Sequence, residues 1–250
     1  MGLKESGLRG SLRNVSVGID AILDDGLLYR WPADDGSGEI ISDEFENIDL
    51  IRDDGDDSWA SGSQYNGDVA ADLNPGSPVE SASETELVGS EVTVTYWVDN
   101  AEINSDTALW IGAGDQGEGS GGPSSGTADN GWRIAAPNDS DLRELQIEHF
   151  DDDGNFDIVN LSESPETNHL MFAYTASGDE YVFYVYNSEG QQVDKFEGSL
   201  SRGIISEGYL KINESFGDGV GGPWDDILGY DKQKSEESIG AIAENTGPNA

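Results

Sequence analysis

The sequence predicts an all-β sandwich, on three observations. Short runs alternate β-branched or aromatic residues with polar ones, turn signals rich in Gly, Asp and Ser separate them, and no comparable stretch of helical periodicity falls within residues 36 to 230. Val92, Val94 and Tyr96 alternate with Thr93, Thr95 and Trp97, a content that favours a strand over a helix. Leu145, Ile147 and His149 alternate with Gln146, Glu148 and Phe150; Asp151-Asp152-Asp153-Gly154-Asn155 then turns the chain into Phe156-Asp157-Ile158-Val159, a hairpin signal. His169 to Thr175, Tyr181 to Tyr186 and Gln191 to Phe196 follow, joined by Ala176-Ser177-Gly178-Asp179 and Ser188-Glu189-Gly190, and read as a three-strand meander.

Composition divides the chain into residues 1–35, an attachment segment and connector; residues 36–230, the sandwich; and residues 231–250, a polar tail or docking segment with a weak apolar patch at Ile239 and Ile242. Within the first region, Leu8, Leu12 and Val15 stand at helical spacing, while Gly2, Gly7 and Gly10 weaken any free helix, so the segment should order only against something else. Residues 17 to 35 read as two short strands or a hairpin around Asp24-Asp25-Gly26. The Gly/Ser-rich stretch 112–126 is too long for a hairpin turn and reads as a surface loop.

Fifty-one Asp and Glu stand against twelve Lys and Arg, and the imbalance is spread along the chain. A net charge of −39 repels itself at low ionic strength. In molar salt, where the Debye length falls to about 3 Å, most of that repulsion is screened. The simplest environment is brine: a salt-adapted cell, or a virus of one. An anionic surface excludes nucleic acid as an expected partner, because phosphate binding needs clustered Lys and Arg. The longest apolar run, Tyr181 to Tyr186, is far short of the roughly 20 residues of a membrane span, and the opening residues lack a secretory signal's apolar stretch, so neither membrane insertion nor export is expected. With no cysteine, disulfides and zinc–thiolate sites are excluded.

Several pieces occur in the order of a known fold family. Asp43-Glu44-Phe45-Glu46 with Trp59 makes an acidic–aromatic opening, and Ser61-Gly62-Ser63-Gln64-Tyr65 a small-residue strand. Val92 to Val98 then forms a framework strand, Asn130-Gly131-Trp132-Arg133-Ile134 starts another, and Tyr184-Val185-Tyr186-Asn187-Ser188-Glu189-Gly190 supplies a strand and turn. Pro223-Trp224-Asp225-Asp226-Ile227-Leu228-Gly229-Tyr230 closes the series. This order resembles the concanavalin A-like, laminin-G-type jelly roll, a two-sheet antiparallel sandwich widely used for carbohydrate recognition. The opening Gly2 to Ser16 resembles the N-terminal segment of virion proteins of haloarchaeal tailed viruses. Together the resemblances imply a non-catalytic virion structural protein: Leu3, Lys4, Leu8, Arg9, Leu12 and Arg13 would attach it to other virion proteins, and the jelly roll would project from the particle surface as a homo-oligomer contacting host surface glycans. The alternatives are a cellular, salt-adapted, lectin-like carbohydrate-binding module, or a glycosidase.

For sugar binding, Tyr65, Trp110, Trp132 and Trp224 offer rings that could stack on pyranose faces. For a cation, Asp151, Asp153, Asn155 and Asp157 alternate around Gly154 like the start of a calcium loop, but Ser162 stands where the bidentate Glu belongs; loosely held Na+ or K+ fits as well as Ca2+. Asp53-Asp54-Gly55-Asp56-Asp57 has the same weakness. A retaining glycosidase places two carboxyl groups about 5 Å apart. No Glu-x-Asp-x-Glu run is present, so the chain is expected to be no enzyme. Its two histidines, His149 and His169, read as strand packing.

Overall fold

A computed structural model describes residues 23–52, 58–74, 78–103, 108–115, 130–137, 142–151, 155–212 and 220–247. The first strands are β1 (Leu27–Trp31), β2 (Ile40–Ile41), β3 (Leu50–Arg52), β4 (Trp59–Ser61), β5 (Val69–Leu73) and β6 (Val79–Ser81). Next come β7 (Glu91–Val98), β8 (Glu102–Ile103), β9 (Ala108–Gly114), β10 (Asn130–Ala136), β11 (Glu144–Asp151) and β12 (Asn155–Asn160). The last are β13 (Leu170–Ser177), β14 (Glu180–Asn187), β15 (Gln192–Ser199), β16 (Tyr209–Ile212) and β17 (Val220–Tyr230), followed by helix α1 (Glu236–Thr246).

These strands form two antiparallel sheets stacked as a jelly-roll sandwich. The nine-stranded sheet runs β15-β14-β13-β7-β17-β5-β4, with β1 and β8 also paired to β17; the eight-stranded sheet runs β12-β11-β10-β9-β16-β6-β3-β2. The expected hairpin is β11–β12, and the expected meander is β13–β14–β15. The Gly/Ser-rich stretch is shorter than its composition suggested: Gly112 to Gly114 belong to β9, and residues 116–129 lie outside the described residues. Gly112 is a strand glycine because β10 lies against it; a Cβ there would come within 2.8 Å of the Trp132 carbonyl oxygen.

Alternation along each strand builds the core between the sheets. Val92, Val94, Tyr96 and Val98 of β7 and Leu170, Phe172 and Tyr174 of β13 meet Ile111, Trp132, Ile134, Leu145 and Ile147 of the other sheet. The opposite face of the nine-stranded sheet is buried too. Trp97, Met171, Ala173, Tyr184, Tyr186, Leu228 and Tyr230 pack under α1, which contributes Ile239, Ile242 and Ala243. This burial on both faces explains why β14 reads as a continuous apolar run.

The C-terminal region expected as a tail is therefore a folded part of the domain. Ser235 caps α1 by accepting from the Ser238 N–H at 3.2 Å, and Glu236 and Glu237 sit where the helix dipole favours negative charge. Ile239, Ile242, Ala243 and Thr246 recur at the spacing of one helical face. Thr246 finishes the contact, its hydroxyl accepting from the Trp97 indole N–H at 2.9 Å. The connector changes in the same way. Gly26, at φ +76°, turns the chain into β1, which joins the sheet beside β17. The sandwich thus draws on both sides of the expected 36–230 span. Among the described residues, no helix is long and apolar enough to cross a membrane.

Candidate functional site

One short loop at the margin of the sandwich is organised around a buried carboxylate. Asp43 is 3% exposed. Its two oxygens accept from the backbone N–H groups of Arg30 (2.9 Å), Phe45 (3.3 Å), Asn47 (3.0 Å) and Ile48 (3.3 Å). The Asp43 N–H donates to Asp49 at 3.0 Å, while Asp35 accepts from both the N–H and the hydroxyl of Ser42. The Trp31 indole N–H ties the loop to β1 by donating to the Ile48 carbonyl at 2.7 Å. Carboxylates receiving backbone N–H groups in this way make a loop rigid without a regular ladder.

Beside that loop lies a cleft of about 340 Å³ lined by Arg30, Pro32, Asp34, Ser42, Glu44 and Gly67. Its volume falls at the low end of the roughly 300–1,000 Å³ of small-ligand clefts. Arg30 lines it, with Nη1 3.0 Å from Glu44 Oε2 and Nε donating to Asp226 Oδ1 at 3.2 Å. Burial opposes the charge on Arg30, but Asp226 and Glu44 more than offset it and hold the guanidinium above its usual pKa.

Asp226 reaches Arg30 because β17 carries a bulge between Asp225 and Leu228, where Asp226 takes φ +43°. A bulge of this kind re-aims a side chain at a chosen point of a strand. Three other non-glycine residues with positive φ flank the cleft: Ala33 (+57°), Glu46 (+57°) and Asp68 (+64°). Each such residue costs on the order of 1–3 kcal/mol, and they cluster where loops hold functional groups. Gly67, at φ +73°, sits against Asp34; a Cβ there would lie 3.3 Å from the Asp34 Cβ. The exposed side of the cleft thus presents the carboxylates of Asp34 and Glu44, the Ser42 hydroxyl and part of the Arg30 fork. Phe45, next to Glu44, is 44% exposed.

The residues expected to bind sugar lie elsewhere, and two of them need correction. Trp132 and Trp224 have no exposed surface: Trp132 stacks on Tyr174 with ring centroids 4.3 Å apart, and Trp224 on Tyr96 at 4.9 Å. Both side chains project into the apolar core, and neither ring face is open to a ligand. Tyr65 is 6% exposed, and its hydroxyl donates to Asp99 at 3.2 Å beneath the turn that carries Gly67. It supports the cleft without lining it. Trp110 lies on β9, with its side chain outside the described residues. The attachment residues Leu3, Lys4, Leu8, Arg9, Leu12 and Arg13 also lie outside them, as do the aspartate run 53–57, Asp153, and the side chains of Asp151 and Asn155. Asp157 is described, and its carboxylate accepts from the Tyr181 hydroxyl at 2.7 Å. Sequence reasoning picked out Asp43–Glu46 and Asp225–Asp226 as fragments of a fold. What it missed was Arg30, a rare cation that joins them.

His149 packs within the sandwich, while His169, half-buried just before β13, lies edge-on to Trp97 and Tyr65. His149 is fully buried; its Nδ1–H donates to the Leu200 carbonyl at 2.8 Å, and its Nε2 accepts from the Tyr174 hydroxyl at 2.6 Å. Burial lowers its pKa to about 4, partly opposed by the Leu200 carbonyl, and burial also lowers that of His169. Below about pH 6.5 the unfolded chain takes up protons at these rings and the folded chain does not, so their contribution is complete above that pH and declines below it. The His149 ring is expected to contribute a slope approaching 1.4 kcal/mol per pH unit between about pH 6.5 and 5. Denaturant titrations across that window should show the slope and should show it reduced in His149→Gln; an unchanged slope would contradict the assignment.

No protein-family model matches the chain, and no curated protein matches it. Solved structures do share its fold. A Trypanosoma rangeli sialidase in complex with 2,3-difluorosialic acid superposes with a TM-score of 0.59 at 11% identity, over 94% of this chain and 38% of its own. Domain 4 of the GH43 extracellular arabinanase AbnA from Geobacillus stearothermophilus, in complex with arabinotriose, gives 0.60 at 16% identity over 87% of this chain and 98% of that domain. A GH54 α-L-arabinofuranosidase gives 0.59 at 12% identity, over 83% of this chain and 50% of its own. The chain spans little more than a third of the sialidase's length. These likenesses establish a fold that recurs in carbohydrate-active proteins. They also correct the expectation that the chain is no enzyme: a sialidase, an arabinanase and an arabinofuranosidase contain this sandwich, so the fold gives that expectation no support.

Proposed function

We propose that the chain binds carbohydrate, with the Arg30–Glu44–Asp34 cleft as its sugar site. The observation that carries this reading is the cleft itself, where hydroxyl-matching carboxylates and a guanidinium converge on loops held rigid by Asp43 and by four strained residues. Such a site is organised before ligand arrives, which lowers the ordering cost of binding. The likeness to an arabinanase domain in complex with arabinotriose, covering 98% of that domain, supports a module of this size acting in sugar recognition.

The test is a glycan panel that includes arabinotriose, read by calorimetry in 2 M KCl, on the intact chain and on Glu44→Gln and Asp34→Asn. Binding to at least one glycan, weakened about tenfold or more in each variant, is the expected result; it corresponds to about 1.4 kcal/mol for each lost charge-assisted hydrogen bond. Undiminished binding in both variants would move the site elsewhere.

Virion surface assembly is proposed as the setting of this binding. It is supported by the resemblance of Gly2 to Ser16 and by that segment's share of the basic residues, Lys4, Arg9 and Arg13 among twelve. In the same panel a chain lacking residues 1–16 should bind sugar normally and fail to sediment with haloarchaeal virus particles; equal sedimentation would remove the virion reading.

A further inference from the structure

Most donors around the cleft are already taken by the protein's own carboxylates. The N–H groups of Arg30, Phe45, Asn47 and Ile48 go to Asp43, that of Asp43 goes to Asp49, and the Ser42 N–H and hydroxyl go to Asp35. Arg30, the one cation lining the cleft among the described residues, is held by Glu44 on one edge and Asp226 on another. One guanidinium therefore faces Asp226, Glu44 and Asp34, and the wall keeps an excess of negative charge. What remains exposed is chiefly acceptor: the free lone pairs of Asp34 and Glu44.

We propose that the cleft selects uncharged, hydroxyl-rich sugars and refuses the carboxylated versions of the same sugars. The inference rests on the carbohydrate reading above and adds its ligand class. A sugar hydroxyl is a donor that satisfies Glu44 or Asp34 while leaving their charge intact. A uronate or sialate carboxylate would meet three carboxylates against one guanidinium that Asp226 and Glu44 already share, a like-charge pairing that costs binding energy at short range.

The overall charge of −39 would repel acidic glycans from any site on this surface at low salt. Selectivity that belongs to the cleft must therefore persist where the long-range field is screened, in molar salt with a Debye length of about 3 Å. The experiment pairs galactotriose with tri-galacturonic acid, and xylotriose with its glucuronic acid-substituted form, by calorimetry at 2 M KCl. Binding of a neutral member at least tenfold tighter than its acidic partner is expected. Glu44→Gln, which releases Arg30 from one carboxylate, should shift that ratio about tenfold toward the acidic sugar. Equal or tighter binding of the acidic members by the unmodified protein overturns the inference and leaves the carbohydrate reading standing; an unmoved ratio in Glu44→Gln overturns the role given to Arg30. Arabinotriose and its carboxylated form, arabinotrionic acid, make a third pair judged by the same ratio; if no sugar binds at all, the carbohydrate reading falls and the inference with it.

Discussion

Trp132→Ala is expected to destabilise the protein by about 3–5 kcal/mol, the range for removing a fully buried aromatic side chain. Three contacts are lost together. The ring stacks on Tyr174 at 4.3 Å, its N–H donates to the Leu87 carbonyl at 2.7 Å inside the core, and its edges fill the space between the sheets beside Ile111 and Ile134. Trp132→Phe keeps most of the apolar contact and removes the donor, so its cost should be clearly smaller, on the order of 1–3 kcal/mol for a buried acceptor that loses its partner. Urea unfolding of both variants in 2 M KCl orders the two effects. Had Trp132 been a sugar platform, as its ring first suggested, alanine would abolish binding at little cost in stability, and that pattern would refute the burial described here.

The strands were legible because their alternation was regular. In β7, β11 and β13 every second residue points into one core, so period and turn residues sufficed to place them. Parity also carried information that the aromatic assignment did not use: Trp132 stands two residues before Ile134 on β10, and both face inward. The helix was harder to read. Its buried face is only Ile239, Ile242, Ala243 and Thr246, a sparse stripe in a polar segment. The stronger sign lay in the sheet it covers, since an eight-residue strand such as β14 that is apolar on both faces requires a cover on each.

The cleft was illegible for a different reason. Arg30 and Asp226 are 196 positions apart, and their meeting depends on β1 pairing with β17 and on a bulge that turns Asp226 out of register. Neither feature has a local signature. Asp43 to Glu46 read as an acidic–aromatic motif, yet most of that acidity is internal wiring: Asp43 is consumed by backbone N–H groups, and only Glu44 turns its carboxylate to the cleft. In a chain with 51 carboxylates, composition cannot separate those that hold a loop from those that meet a ligand.

Glu148→Ala is expected to cost about 3–5 kcal/mol, and to cost it at high salt as well as low. Strand register sets a row across the outer face of the eight-stranded sheet: Glu148 pairs with Arg133, Arg133 with Gly112, Gly112 with Lys211, and Lys211 with Glu80. Two cations thus flank a glycine, each with a carboxylate on its far side. The Arg133–Glu148 contact is the tighter, with Nε and Nη2 at 2.6 and 2.5 Å from the same oxygen, and both side chains are less than a tenth exposed. Lys211 Nζ lies 3.1 Å from Glu80 and is itself buried. Alanine at 148 removes the carboxylate facing a buried guanidinium, and salt reaches such a pair far less than an exposed one. The contact of Lys195 with Glu236 provides the contrast: at 32% and 55% exposure it should contribute little to stability, and less still in molar KCl. Replacing both partners, Arg133→Met with Glu148→Leu, should recover most of the lost stability, because what costs energy is the uncompensated charge and not the absence of an ion pair. Unfolding measured at 0.2 and 3 M KCl tests the whole argument; a Glu148→Ala penalty that disappears in high salt would mean that the row lies open to solvent.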